Sequence, residues 1–295
     1  MDLTLEQLRT LSAVLDTGTF EGAAHALNVT PSAVSQRIKA MENDIGRLLV
    51  VRTRPAQPTE SGRAVMRLAR QVELLQRDTA AELNPDSSAL TRIPVVVNAD
   101  SLATWFLEAV AGLESVVLEI STDDQAHSVD LLRDGAVMAA VTSVEEPVQG
   151  CWSTPIGGMT YRATATPEYV GRWMNEGVTK AALERAPVIV FNRKDALQND
   201  YLIARGVDPS AVPRHFVPAS SDFLRAVELG MGWGMLPDEQ AADAVARGDL
   251  VRLGGGPAIR VPLYWQQWAL ESAALKSLAT AVASGAPGRG RRSAL

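Results

Sequence analysis

Two groups of residues in this 295-residue chain have the types and spacing for recognition chemistry. The first is compact. Ser32, Gln36 and Lys39 recur at helical spacing behind Thr30-Pro31, a pair that opens helices because Thr caps and Pro fills the first position. Val34, Ile38, Met41 and Ile45 occupy the opposite face. Hydroxyls, an amide and an amine on the outer face of a short helix suit hydrogen bonding to base edges in a major groove. Downstream, Arg52 and Arg54 share the turn Arg52-Thr53-Arg54-Pro55, where exposed guanidinium groups suit phosphates or a minor groove. The second group is dispersed. Asp100-Ser101, Asp123-Asp124 and Ser220-Ser221-Asp222 each follow a predicted strand and lead toward a predicted helix, and Thr142 ends another strand. Taken singly, an Asp or Ser at a helix start is more often only a cap. Acids and hydroxyls at strand ends far apart in sequence suggest two subdomains facing a cleft.

The elements that must position these groups can be read from periodicity. Leu8, Leu11 and Leu15 mark a helix that Gly18 ends. Thr19 caps a short helix, Phe20–Leu27, whose Ala23, Ala24 and Ala26 allow a neighbour to come close. Asn28-Val29 turns the chain into the helix at Thr30, and Leu48–Val51 reads as a strand. Any one of these features also fits a solvated helix face. In this order they specify a helix-turn-helix followed by a wing. Thr59 opens a long helix to about Leu83, with Val65, Leu68, Val72, Leu75 and Thr79 in the 3-4 spacing of a coiled-coil seam. Packing against its own domain is the competing reading. Pro85, Asp86, Ser87 and Ser88 read as a linker. From Ile93 strands and helices alternate. Strands are expected at Ile93–Asn98, Val116–Ser121, Val137–Thr142, Ala163–Thr166, Val188–Phe191, His215–Val217, Met231–Leu236, Leu250–Leu253 and Val261–Trp268. Alternation of this kind implies α/β layers with mainly parallel strands.

Composition narrows the function. Hydrophobic residues make up 46% and charged residues 21%, enough for a sizeable core. No apolar run approaches the ~18–20 residues of a membrane span. The acidic, polar start is unlike a secretory leader, so a cytoplasmic location is expected. One cysteine, Cys151, can form neither an internal disulfide nor a multi-Cys zinc site. The net charge of -6 is uneven: residues 30–70 hold eight basic residues against three acids, whereas 84–285 hold fifteen against twenty-four. That pattern suits an anion-binding module joined to an acidic partner domain. There is no G-x-S-x-G elbow, and His25, His127 and His215 have no paired nucleophile. Gly230, Gly232 and Gly234 fall short of a dinucleotide fingerprint. No catalytic activity, cofactor or metal is therefore expected. The competing class is an α/β enzyme or transport-type binding protein carrying a chance helix-turn-helix.

The run Phe20–Ala24 together with Thr30-Pro31-Ser32-Ala33-Val34-Ser35-Gln36-Arg37-Ile38-Lys39 resembles the DNA-binding signature of LysR-type transcriptional regulators. Leu48–Arg52 and Pro58–Gly62 fall where that family has its wing and the start of its linker helix. The wing departs from many members in having Thr53-Arg54-Pro55 after Arg52. The resemblance spans essentially the whole chain. It implies a winged helix-turn-helix domain over 1–58, a linker or dimerisation helix and hinge over 59–91, and an α/β effector domain of periplasmic-binding-protein type over 92–295. Within that domain one subdomain would take about 92–160 and 264–285, the other about 161–263, with a disordered tail at 286–295. It also implies double-stranded promoter DNA read by Thr30, Ser32, Ser35, Gln36, Arg37, Lys39, Arg52 and Arg54, a homodimer or homotetramer, and RNA polymerase as a further partner.

Val97–Phe106, Ala140–Thr142, Gly230–Pro237 and Pro262–Gln266 resemble, more narrowly, the regulators of lysine and arginine export. That resemblance implies a basic amino acid effector (lysine, arginine or histidine) and control of an exporter gene. The effector's carboxylate would need N–H donors and hydroxyls, for which Ser101, Thr142, Ser220 and Ser221 are candidates. Its cationic groups would need Asp100, Asp123, Asp124 or Asp222, and Trp105 could face a cation. A LysR-type regulator with an aromatic or organic-acid effector would favour an arginine-lined cleft instead.

Overall fold

The computed structural model describes residues 3–84, 90–122, 128–254 and 258–288. Three helices form the head: α1 (Leu5–Thr17), α2 (Phe20–Leu27) and α3 (Pro31–Ile45). Thr4, Thr19 and Thr30 cap them, each accepting from the backbone N–H three residues on. Their inward faces join in one core around Leu11, Val14, Ala23, Val34, Ile38 and Met41. Two short antiparallel strands, β1 (Val50–Val51) and β2 (Gln57–Pro58), make the wing. The long helix α4 (Glu60–Leu83) starts against the wing. A Cβ at Gly62 would lie 1.9 Å from the Leu49 carbonyl oxygen, so glycine is required for this close approach. The seam foreseen on this helix divides. Val65 and Val72 turn onto the head's own core, while Leu68 and Leu75 are exposed.

The rest of the chain builds two lobes. In the first, β3 (Thr91–Val97) is followed by α5 (Ala99–Ser101), which runs on through Leu102–Phe106 into α6 (Leu107–Val110). Then come β4 (Val116–Thr122), α7 (Ser128–Arg133) and β5 (Ala139–Thr142). The 15-residue strand β6 (Cys151–Ala165) crosses to the second lobe. There α8 (Pro167–Trp173), α9 (Lys180–Arg185), β7 (Val188–Val190), α10 (Leu197–Ala204), β8 (Arg214–Phe216), α11 (Ser220–Glu228), β9 (Gly234–Pro237), α12 (Asp238–Arg247) and β10 (Val251–Arg252) follow in order. The strand β11 (Ile259–Trp268) crosses back, and α13 (Ala273–Gly285) packs on the first lobe.

The main sheet has the order β10-β6-β11-β5-β3-β4, with β9 also on β6. The expectation of mainly parallel strands needs correction. Among the described strands of the two lobes, β3–β4, β3–β5 and β7–β8 pair parallel, whereas β11–β5, β11–β6, β6–β9 and β10–β6 pair antiparallel. The cause is that β6 and β11 cross between the lobes in opposite directions. Sequence reading recovered only the end of β6, because Pro155, Gly157 and Gly158 interrupt its apolar pattern. The strand persists because it pairs with β11 from Cys151 to Tyr161, slipping register between Leu263 and Tyr264. The expected tail also begins too early. Ala286 is buried, and the Gly158 N–H donates to the Pro287 carbonyl at 3.1 Å, so residues 286–288 are fastened across β6.

A row of arginines ties the head to the first lobe. Arg63 pairs with Asp134 at 2.9 Å, Arg67 donates to the Arg133 carbonyl at 2.6 Å, and Arg70 donates to the Ala136 carbonyl. Arg70 also reaches Asp16 on α1 at 2.8 Å. Arg67 thereby meets the last carbonyl of α7, where a helix cannot satisfy its own acceptors, and Arg70 a carbonyl of the turn that follows.

Candidate functional site

The reading surface is assembled from α3 and the wing. Thr30, Ser32, Gln36 and Lys39 are exposed, and Ser35 is half-buried beside them. Thr30 Oγ1 accepts from the Ala33 N–H at 3.2 Å and lies 2.9 Å from Ser32 Oγ, so the cap also orients a reading hydroxyl. Glu42 Oε1 accepts from the Leu49 and Val50 N–H groups at 2.8 and 3.3 Å, which fixes the wing against α3. A groove lined by Ser35, Gln36, Lys39, Val51 and Arg52 results. The Arg52 guanidinium lies 4.9 Å from the Phe20 ring centroid, and Arg54 is exposed in the turn. Arg37 behaves differently from the other reading candidates. Its guanidinium is engaged by Glu6 on α1, so it fastens two helices together.

A second site lies between the lobes. A cavity of about 370 Å³ is lined from the first lobe by Asn98, Ala99, Asp100, Ser143 and Val144. The second lobe contributes Phe191, Asp195, Leu197, Phe223, Met235 and Gln240, among others. Asp100 is the junction. Its Oδ2 accepts from the Tyr161 hydroxyl on β6 at 2.8 Å, and its Oδ1 from the Ser220 hydroxyl on α11 at 2.7 Å. Gln240 Nε2 donates to both the carbonyl and the hydroxyl oxygen of Ser220 at 3.1 Å. Burial, and then the charge of Asp100, pushes the Tyr161 phenol well above its usual range, which keeps it a donor. Gln266, fully buried, accepts from the Val148 N–H and donates to the Val144 and Glu146 carbonyls. It thereby holds the loop that carries Ser143 and Val144 to the cavity wall.

The expected effector residues separate into two sets. Asp100 lines the cavity, and Ser220, buried behind it and not itself a lining residue, donates to its carboxylate. Ser101 is fully buried with its hydroxyl toward the Met159 sulfur at 3.6 Å, and Trp105 packs edge-on against Phe106 in the core. Both sit on the inner side of their helix, which the sequence pattern could not distinguish from its cleft side. Thr142 is also fully buried, accepting from the Val144 N–H at 3.2 Å. Ser221 and Asp222 are exposed on α11 and are not among the lining residues. Asp123, Asp124 and His127 lie outside the described residues. The cap of α5 is Asn98, whose side chain accepts from the Ser101 N–H at 2.8 Å, and not Asp100-Ser101. That frees the Asp100 carboxylate for the cleft.

Asp195 is a lining residue that sequence reading missed. It sits four residues past the predicted strand Val188–Phe191, farther from its strand than Asp100 is, and directly follows Arg193 and Lys194. Its oxygens accept from the Leu197 N–H at 3.0 Å and the Phe191 N–H at 3.2 Å. With its amide oriented to satisfy both atoms, Gln198 adds bonds of 2.8 and 3.2 Å. Burial pushes the Asp195 carboxyl up, the backbone bonds pull it down, and the nearby charge of Asp100 pushes it up again. Cys151, at the start of β6, has its thiol pushed up to about 11 by burial and stays protonated. Among the described residues no helix is long and apolar enough to cross a membrane.

Comparison with known proteins decides the family. Residues 5–63 match the bacterial regulatory helix-turn-helix protein model of the lysR family, and residues 100–286 match the LysR substrate binding domain. The chain belongs to the LysR family. This LysR-family chain is 42% identical over 286 residues to the lysine export transcriptional regulatory protein LysG of Corynebacterium glutamicum, covering 95% of this chain and 97% of that one. The crystal structure of ArgP from Mycobacterium tuberculosis matches with a TM-score of 0.88 at 42% identity, covering 97% and 98% of the two chains. Full-length LysG from C. glutamicum with bound effector Arg matches with a TM-score of 0.76 at 38% identity, covering 96% and 98%. As a LysR-family member the chain is a DNA-binding transcription regulator, with α3 and the wing as its winged helix-turn-helix and the two lobes as its effector domain.

Proposed function

We propose that this LysR-family regulator takes lysine, arginine or histidine between its lobes and thereby sets transcription of an amino-acid exporter gene. Thr30, Ser32, Ser35, Gln36, Lys39, Arg52 and Arg54 would meet promoter DNA, and the exposed face of α4 would join two chains so that two heads address paired half-sites. The observation that carries the effector reading is Asp100. Its charge is held at the interlobe cavity by two hydroxyls, and among the described residues no cation pairs with it. Neutral donors orient a carboxylate but leave its charge uncompensated, which favours a cationic ligand. The relatives agree in kind: the C. glutamicum protein is named for lysine export, and its structure holds arginine. A ligand touching both lobes binds the closed arrangement better and shifts the population by that difference.

A thermal-shift screen of the twenty amino acids tests this reading. A ligand at about 100 times its Kd adds ~2.7 kcal/mol to the folded state. Lysine, arginine or histidine should raise the melting temperature of the full chain, and leucine and glutamate should not. Stabilisation confined to neutral or acidic amino acids would refute it.

A further inference from the structure

We propose that Asp195 is the specificity-determining residue that reads the distal cation of the effector, while Asp100 meets its α-ammonium. The assignment rests on the basic amino acid reading and goes beyond it by giving each end of the ligand a partner. The two carboxylates enter one cavity from different lobes. Asp100 stands beside Asn98 and Ser143, at the C-terminal ends of β3 and β5, where ligands of such sheets place their polar heads. Asp195 belongs to the loop between β7 and α10 in the opposite lobe. The same cavity is lined by the apolar Phe191, Leu197, Phe223 and Met235, and Lys194 also stands in its wall. A long aliphatic stem with a charge at each end suits a cavity that offers both: its methylenes lie on apolar side chains while its ends keep polar contact.

Asp195 is also fixed in place without being neutralised. Four bonds from the Phe191 and Leu197 N–H groups and the Gln198 amide hold its oxygens. Among the described residues no cation pairs with it, although Lys194 lines the same cavity, and its burial together with the charge of Asp100 opposes ionisation. A bound cation relieves that opposition. Fastening the loop is the plainer role for these four bonds, and it makes a different prediction. A loop fastener changes binding of every amino acid alike. A charge reader changes only the preference for a charged end over a neutral one.

Calorimetry on the full chain separates the two, using lysine and norleucine, which share the α-amino acid group and differ in the terminal ammonium. The wild-type chain should prefer lysine by about 30-fold or more, the scale of a lost buried charge pair. In Asp195→Asn, and in Asp195→Ser, whose hydroxyl can still accept from the Leu197 N–H, the preference should shrink to within about threefold. Norleucine affinity and melting temperature should stay close to wild type in at least one of the two variants. An unchanged lysine preference in both variants overturns the assignment, as does an equal loss for lysine and norleucine in both. If the wild-type chain binds no basic amino acid, the functional reading fails first. If it binds lysine and only Asp100→Asn abolishes the preference, that reading stands and the role of Asp195 is refuted.

Discussion

Asp100→Asn should weaken lysine or arginine binding by about 30-fold or more, because removing one charge of a buried pair costs about 2–5 kcal/mol. The substitution is chosen to spare the fold. Asparagine keeps an acceptor for the Tyr161 hydroxyl, and its amide can donate to the Ser220 oxygen, so the bridge between lobes survives in outline. What disappears is the charge. Isothermal calorimetry on the full chain measures the loss. Operator binding without ligand should change little, because Asp100 lies in the effector domain, outside the α3–wing surface. An affinity within threefold of wild type would show that the effector's ammonium sits elsewhere.

Leu68→Glu combined with Leu75→Glu should dissociate the assembly and lower affinity for paired half-sites by about 10²–10⁴-fold, the range over which linking two binding modules exceeds either alone. Both side chains are exposed on α4, seven residues apart, on a face that the head's own core does not use. A glutamate at either site costs the single chain little and is costly once two such faces meet and exclude water. Affinity for an isolated half-site should stay near the wild-type value, since α3 and the wing are untouched. Light scattering and titration on one- and two-half-site DNA read these effects together. Variants that remain assembled would place the interface on another surface.

Much of the fold was legible because local chemistry and global structure agree in the head. The Thr caps, the Gly and Asn helix ends, the Ala-rich α2 and the apolar stripe Val34-Ile38-Met41 all point to one arrangement. In the lobes that agreement weakens. β6 carries proline and glycines that break its period, and only pairing with β11, a hundred residues away, makes it a strand. The short helices α8 and α9 show too few turns for a periodic signal, although Thr166-Pro167 and Thr179 are readable caps. The candidate site shows the same limit. Acidic and hydroxyl residues at strand ends located Asp100 and Ser220. Sequence could not tell which side of a helix faces the cleft, so Ser101 and Trp105 were assigned to the wrong side. Asp195 was hidden because it lies four residues past its strand, directly after Arg193 and Lys194, and only its bonds to Phe191, Leu197 and Gln198 fix it at the cavity.

The central claim is that a basic amino acid in the cleft changes how this regulator holds DNA. Footprinting of the full chain on an operator selected from random DNA, with and without saturating arginine or lysine, tests it most directly. Coupling of ~1–3 kcal/mol is typical between two such sites and would alter protection severalfold at part of the operator. The predicted result is a change in the extent or spacing of protection with arginine or lysine and none with norleucine at the same concentration. An identical footprint in all conditions, from a protein that binds the operator well, would contradict the account.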